Sequence, residues 1–198
     1  MNMGGDDNIA VCCEQAQGRR AAFLRALPKA LLDREDSIAA SVATENASAR
    51  SKLRRIYKLM DEMAVHREGK VACKQGCAAC CRMNVTVSAL EAEAIAAATG
   101  RVAARITESV SHPEDEYLGR PCPFLAAHEC SIYVDRPLAC RKHASYFTSE
   151  KWCSLPHVNT VQAPLVRFGG LDDALALVSR RKNGAVFADI RDFFGMPE

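Results

Sequence analysis

The feature that most constrains this chain is a run of cysteines, CKQGCAACCR, at residues 73–82. The run holds four thiols, and four more follow at wider intervals: Cys122, Cys130, Cys140 and Cys153. Thiols crowded into one short segment rarely serve as core side chains. They are typical of soft-metal ligation by thiolate, as in zinc or iron–sulfur sites, or of a disulfide framework. The run therefore predicts part of a site that the later cysteines complete.

Charge and hydropathy exclude two classes of partner. The 198 residues are 48% hydrophobic and 25% charged, which is ordinary for a soluble globular protein. Lys and Arg number 26 against 24 acids, so the net charge of +2 gives no electrostatic reason to bind nucleic acid or an anionic membrane. No apolar run approaches the roughly 20 residues needed to span a bilayer. We expect an unknown redox or protein partner, and neither nucleic acid nor membrane.

The N-terminal sequence predicts where the thiols reside. Residues 1–8, MNMGGDDN, lack the basic and apolar regions of a secretory signal. The expected location is the cytoplasm, where glutathione and thioredoxin keep thiols reduced. Clustered cysteines in that compartment favour metal binding or redox chemistry over a disulfide scaffold.

The hydrophobic pattern predicts a mainly α protein, a small helical domain with an irregular, cysteine-rich metal-binding loop module. From residue 18 onward we expect one compact domain. Cys12 and Cys13 precede it and are interpreted as incidental thiols. The expected divisions are a flexible tail at 1–17, an N-terminal helical region at 18–69, the cysteine-cluster module at 70–155 and a C-terminal helical region at 156–198.

Three helices near the cysteine run are predicted from local signals. One carries an apolar stripe and spans about 46–67. A second begins at a capping box, with Ser88 as N-cap and Glu91 three residues later, and ends before Gly100. A third is expected over about 102–110.

The spacing of the thiols points to metal ligation. Cys77-x2-Cys80 is the half-site spacing of many zinc and iron–sulfur proteins, and Gly76 permits a tight turn beside it. Adjacent side chains usually diverge, so Cys80 and Cys81 rarely bind one ion together. Eight thiols suffice for two four-thiolate sites, or for one four-iron cluster with spare thiols. The predicted metal ligands are Cys73, Cys77, Cys80, Cys81, Cys122, Cys130, Cys140 and Cys153.

The metal stays open between zinc and an iron–sulfur cluster. If one ligand is a histidine, His143 is best placed, three residues after Cys140. Arg82 and Arg141 each follow a cysteine and either offset thiolate charge or lie on the solvated surface. The other histidines are interpreted as ordinary surface or core residues: His66, His112, His128 and His157.

A radical S-adenosylmethionine enzyme is an alternative, because Cys73, Cys77 and Cys80 have the C-x3-C-x2-C spacing of that class. Ala79 replaces the aromatic residue usual before the last cysteine. The chain is also short for a partial βα barrel, reads as helical, and holds further cysteines that such a site does not use. The sequence shows neither a nucleophile elbow nor a phosphate-binding glycine loop nor an H-E-x-x-H motif.

Residues 73–146 resemble the YkgJ-type cysteine-cluster family, which is described as zinc- or iron-chelating. The matching motifs are Cys73-x3-Cys77-x2-Cys80-Cys81-Arg82, Val85-x-Val87-Ser88-x2-Glu91-Ala92, Cys122-Pro123-Phe124-Leu125 and Cys130-x-Ile132-Tyr133-x2-Arg136-Pro137-x2-Cys140-Arg141. The resemblance implies a cytosolic metal-binding protein of a family sometimes labelled iron–sulfur oxidoreductases. It brings neither a defined metal nor a substrate.

Three functions are consistent with these observations. The first is a metal-binding protein whose thiolate cluster has a structural or electron-transfer role. The second is a redox enzyme that uses a cysteine-bound iron–sulfur centre on an unknown substrate. The third is a zinc-stabilised adaptor that binds another protein. An open metal position beside a pocket would favour the enzyme, and a closed four-thiolate site would favour the other two.

Overall fold

The computed structural model describes residues 8–155 and 157–196. About half of the chain is helical and the strands are few and short, which confirms the mainly α prediction. No helix within the described ranges is long and apolar enough to cross a bilayer. The helices are α1 (Ile9–Ala26), α2 (Lys29–Thr44), α3 (Ala49–Ala64), α4 (Ala89–Thr99), α5 (Leu138–Lys142), α6 (Gly169–Val178) and α7 (Ile190–Phe194).

The strands pair only in twos. β1 (Thr86–Ser88) pairs antiparallel with β6 (Phe187–Asp189), so the segment after the cysteine run is tied to the C-terminal part of the chain. The other two pairs are short hairpins, β2 (Leu125–Ala126) with β3 (Glu129–Cys130) and β4 (Arg180–Arg181) with β5 (Gly184–Ala185).

Helix α1 begins earlier than the sequence predicts. The Asn8 side chain caps it by accepting a hydrogen bond from the backbone amide of Ala10 at 3.1 Å. The helix ends before Pro28, where the chain turns into α2. A flexible tail was expected over 1–17, whereas residues 9–17 are helical; residues 1–7 lie outside the described residues. The divisions proposed for the rest of the chain stay a prediction.

Helix α3 forms as its apolar stripe predicts. The Ser48 side chain caps it by accepting a hydrogen bond from the backbone amide of Ser51 at 3.2 Å. One face is buried against α2, α5 and α6, and the opposite face carries charge. The buried residues of this helix are Leu53, Ile56, Leu59, Met60 and Met63.

A first hydrophobic core lies between α1, α2, α3 and α6. Phe23 of α1 is fully buried and its ring contacts those of Tyr146 and Phe168, with centroids 5.8 and 6.5 Å away. Trp152 packs into the same core beside Phe147. The aromatic segment that follows α5 is therefore anchored to the N-terminal helices.

A second hydrophobic core lies around β1, β6, α4 and α7. Helix α4 has the predicted capping box of Ser88 and Glu91 and ends at Gly100, whose φ is +73°. Helix α7 has a capping box of its own, formed by Asp189 and Asp192. The apolar residues of this second core are Val85, Val87, Ala92, Ile95, Cys122, Phe124, Ile132, Ala188, Ile190, Phe193 and Phe194.

The helix predicted over 102–110 is wrong, because residues 101–107 have no regular structure and only a bend follows at residue 108. The amide of Ala104 binds the carbonyl of Phe193, and the amide of Val110 binds the carbonyl of Phe187. Val102 is 90% exposed. These backbone groups bond to the C-terminal elements across the fold, and such bonds replace the helical ones.

Candidate metal centre

Cys73 is fixed by the segment that follows α5. The amide of Ala72 donates to the carbonyl of Ser145 at 2.9 Å, and the amide of Ser145 donates to Cys73 Sγ at 3.1 Å. An amide directed at a sulfur stabilises its thiolate form, which is the form that binds metals. Cys73 therefore sits at a position suited to ligation.

The turn before Cys77 requires Gly76. Gly76 has a φ of +87°, a region that side-chain-bearing residues rarely adopt. The amide of Cys77 closes the turn on the carbonyl of Lys74 at 3.1 Å. A 3₁₀ turn, Ala79–Arg82, then places Cys80 and Cys81 in succession. The tight turn predicted from the sequence is present.

Cys122 and Cys130 are brought to the run by backbone pairing. The amide of Cys122 donates to the carbonyl of Cys81 at 2.7 Å. The β2–β3 hairpin pairs Leu125 with Cys130, and positive φ angles at Ala127 and His128 close its tip. The amide bond of Cys122 and the hairpin that follows it therefore bring both cysteines to Cys81, which lies far from them in the sequence.

The last two predicted ligands come from short helical segments. Cys140 lies in α5, which packs against α3. Cys153 ends the 3₁₀ turn Glu150–Cys153, which packs against the turn Ala79–Arg82. All eight predicted ligands therefore lie in segments that meet around residues 73–82.

The thiols interact through hydrogen bonds and charge. Hydrogen bonds with Cys80 and Cys130 raise the pKa of Cys81, and the same bonds lower the pKa of its two partners. The Arg136 guanidinium lowers the pKa of both partners further. Two of the eight thiols are thus biased towards thiolate while their neighbour keeps its proton.

Burial has the opposite effect on the remaining thiols. It raises the pKa of Cys122 to about 11 and the pKa of Cys140 well above its ordinary value. It also raises the pKa of Cys73, Cys77 and Cys153. A metal that binds here has to displace their protons, so its affinity should increase with pH.

A cavity of about 310 Å³ reaches the thiols from the side of α3 and α5. Arg67 and Arg136 line it, and the Nε of each is buried without a hydrogen-bond partner among the described residues. Guanidinium N–H groups complement the net negative charge of a metal bound by several thiolates. The cysteines in its lining are Cys73, Cys77, Cys80 and Cys140.

The donors fit a soft metal in type but are not preformed around one. Thiolate sulfur is the ligand that zinc and iron–sulfur clusters prefer. Among the described residues, however, no three His, Cys, Asp or Glu side chains are already arranged to hold a metal ion. Binding would have to draw neighbouring thiols together, which couples ligation to ordering of the loops. No disulfide joins the ten cysteines, all of which lie within the described ranges.

The structure shows where His143, the possible histidine ligand, and Arg141 lie relative to the thiols. His143 lines the same cavity, and burial together with Arg67 lowers its pKa, so it is the neutral form that faces the thiols. Arg141 is neither a solvated surface residue nor a simple counter-charge. It is buried, pairs with Asp61 at 2.6 Å and lies over the Tyr57 ring. Outside the cavity, His112 contacts Asp192 at 2.9 Å.

Cys12 and Cys13 do not belong to this cluster. Cys12 is 2% exposed within the first core, and Cys13 packs against the same core. Their positions agree with the interpretation that they are not ligands.

Sequence reasoning missed Arg191, which supports the cysteine segments from the C-terminal helix. Its guanidinium donates to the carbonyls of Met83, Arg120 and Pro121 and pairs with Asp189 at 2.9 Å. The three carbonyls flank Cys81 and Cys122 in the chain. The only sequence signal was the capping-box pattern of Asp189 and Asp192, which locates the helix and not the contact.

Comparison with known proteins gives one match. Residues 72–156 match the family model CxxCxxCC, "putative zinc- or iron-chelating domain". No curated protein and no solved structure matches the chain. The metals in the family description are those predicted from the thiol spacing, and the matched segment contains all eight predicted ligands. Residues 72–156 are therefore similar to the zinc- or iron-chelating domain that this family model describes.

Proposed function

We propose that this protein binds metal through its clustered cysteine thiolates, holding zinc or an iron–sulfur cluster in a structural or electron-transfer role. One observation carries the proposal. Eight cysteines from separate segments of the chain meet around residues 73–82. Thiols brought together in this way are poor core residues and good soft-metal ligands.

The structural role rests on how little regular secondary structure these segments have. Residues 101–137 hold one two-residue hairpin and otherwise consist of turns and irregular backbone. Residues 143–155 and 157–168 have one short 3₁₀ turn. Ordering a segment that has little regular secondary structure costs conformational entropy, and a cross-link offsets that cost. A metal bound by cysteines from both segments would supply such a cross-link.

A redox enzyme is the second candidate, and a specific cleft favours it. The cleft measures about 740 Å³ and lies beside Cys77 and Cys153. Arg82, His128 and Glu150 also line it, so a small polar molecule would find both charges and a titratable group there. A centre held by Cys77 would then lie at the wall of a pocket.

Anaerobic purification followed by metal analysis and visible absorption spectroscopy tests the proposal. A brown protein with iron and acid-labile sulfide would show an iron–sulfur centre and support electron transfer. A colourless protein with stoichiometric zinc would support the structural role and exclude the redox role of a cluster. A metal-free protein that fails to take up either metal would refute the proposed function.

Substitution of single cysteines tests the ligand assignment. We expect Cys77→Ser and Cys80→Ser each to lower the metal content and the melting temperature, because the free energy of ligation is also free energy of folding. Cys13→Ser is the matched control, since that cysteine packs against the first core and should keep wild-type metal content. Wild-type metal content and stability in both cluster variants would contradict the assignment.

A further inference from the structure

Four of the eight thiols belong to the second hydrophobic core. Cys122 is 6% exposed within it, and Cys81, Cys130 and Cys140 pack against it. The other four predicted ligands pack into neither core: Cys73, Cys77, Cys80 and Cys153. The packing therefore divides the eight thiols into two sets of equal size.

Backbone geometry holds the core-side set together. The 2.7 Å hydrogen bond from the Cys122 amide to the Cys81 carbonyl places these two residues side by side. The hairpin that starts after Cys122 returns at Cys130, and its strands continue into a bond from the Ser131 amide to the Phe124 carbonyl.

Different contacts join the other set, which consists of Cys73, Cys77, Cys80 and Cys153. Cys73, Cys77 and Cys80 line one cavity, and Cys77 and Cys153 line the neighbouring cleft. The turn that ends at Cys153 packs on the turn that carries Cys80.

The boundary between the sets falls between two adjacent residues, Cys80 and Cys81. Cys80 lines the cavity with one set, and Cys81 packs against the second core with the other. The sets are close neighbours, because Cys140 also borders the cavity. Assigning Cys80 to one set and Cys81 to the other gives each set four sulfurs, the number used by a tetrahedral zinc ion or a four-iron cluster.

Resting on the proposed metal-binding function, we infer that the chain holds two metal centres with separate ligands. The first centre, here called the cavity centre, uses Cys73, Cys77, Cys80 and Cys153. The second, here called the core centre, uses Cys81, Cys122, Cys130 and Cys140.

Zinc added alone to the reduced full-length protein provides the test. Native mass spectrometry should find about two zinc ions per chain in the wild type, as two four-thiolate sites require. Cys153→Ser should retain the core centre and Cys130→Ser the cavity centre, so each should bind about one ion. The double variant should bind none, and Cys13→Ser should bind as the wild type does.

Alkylation of the zinc-loaded variants, mapped by peptide mass, identifies which thiols remain protected. In Cys153→Ser the other cavity-centre cysteines should become labelled while the core-centre cysteines stay protected, and Cys130→Ser should give the reverse. Should either variant fail to fold by circular dichroism, Cys77→Ser and Cys122→Ser repeat the test.

The outcomes distinguish the two-centre inference from metal binding itself. One ion in the wild type, or loss of protection at all eight cysteines in either variant, would overturn the two-centre inference and leave metal binding intact. No zinc binding by the wild type would refute the proposed function itself.

Discussion

At the scale of single residues, arginine side chains donate hydrogen bonds to backbone carbonyls in regions that lack regular secondary structure. Arg67 donates to the carbonyls of Arg141 and Lys142, and Arg101 donates to those of Pro123 and Phe194. These carbonyls lie in or beside irregular backbone and would otherwise lack partners. The sequence did not reveal these contacts, because donor and acceptor are separated by up to 93 residues.

The clearest prediction at this scale concerns Arg191. Its side chain is 1% exposed and binds three carbonyls as well as Asp189. We expect Arg191→Met to lower the free energy of unfolding by about 3 kcal/mol or more, because it leaves a buried carboxylate without its cation and removes the side-chain donor of several carbonyls.

Chemical denaturation measures the effect, and Arg181→Met is the matched control. Arg181 is 53% exposed and forms a surface ion pair with Glu93, so its loss should cost less than about 1 kcal/mol. Equal effects of the two substitutions would show that the Arg191 contacts contribute nothing beyond those of a surface residue.

At the scale of elements, local signals predicted what depends on near neighbours and failed where distant contacts decide. The capping box of Ser88 and Glu91 located α4 correctly because every group in it lies within one turn. Residues 102–110 have a helical spacing of apolar residues, yet their amides bond to the segment 187–193. Helix α1 was missed over residues 9–17 because their hydrophobic period is weak.

The packing of α2 on α6 yields a prediction about two adjacent glycines at the start of α6. A Cβ at Gly170 would lie 1.9 Å from the carbonyl oxygen of Glu35, which is backbone of α2 and cannot swing aside. A Cβ at Gly169 would meet nothing within 4 Å. Gly170 therefore sets the closest approach of the two helices.

We expect Gly170→Ala to destabilise the protein by about 2 kcal/mol or more, because the helices must separate to relieve the overlap. Gly169→Ala should be neutral or slightly stabilising, since alanine favours the helix at a position with free space. Thermal melts of the two variants measure the difference. Similar melting temperatures would mean that α6 moves away from α2 at little cost.

At the scale of the whole molecule, residues 72–156, which match the family model, do not form the second hydrophobic core by themselves. Strand β1 pairs with β6 in a register that sets Thr86 opposite Asp189, and Ile190, Phe193 and Phe194 fill the second core. The thiol spacing predicted which residues gather at the site. It could not predict their division into two sets, because that division follows from a core assembled from residues about a hundred positions apart.

Hydrogen exchange on a chain that ends at Ser179 tests whether the two cores are separately stable. The first core keeps α1, α2, α3 and α6 in this variant, whereas the second loses β6 and α7. We expect amide protection to fall about tenfold or more in 83–88 and 120–132, and to persist in the first three helices, because local stability follows local burial. The full-length chain is the control. Parallel loss of protection in α1–α3 would show instead that both cores unfold as one cooperative unit, and that the C-terminal elements stabilise the N-terminal helices as well as the cysteine segments.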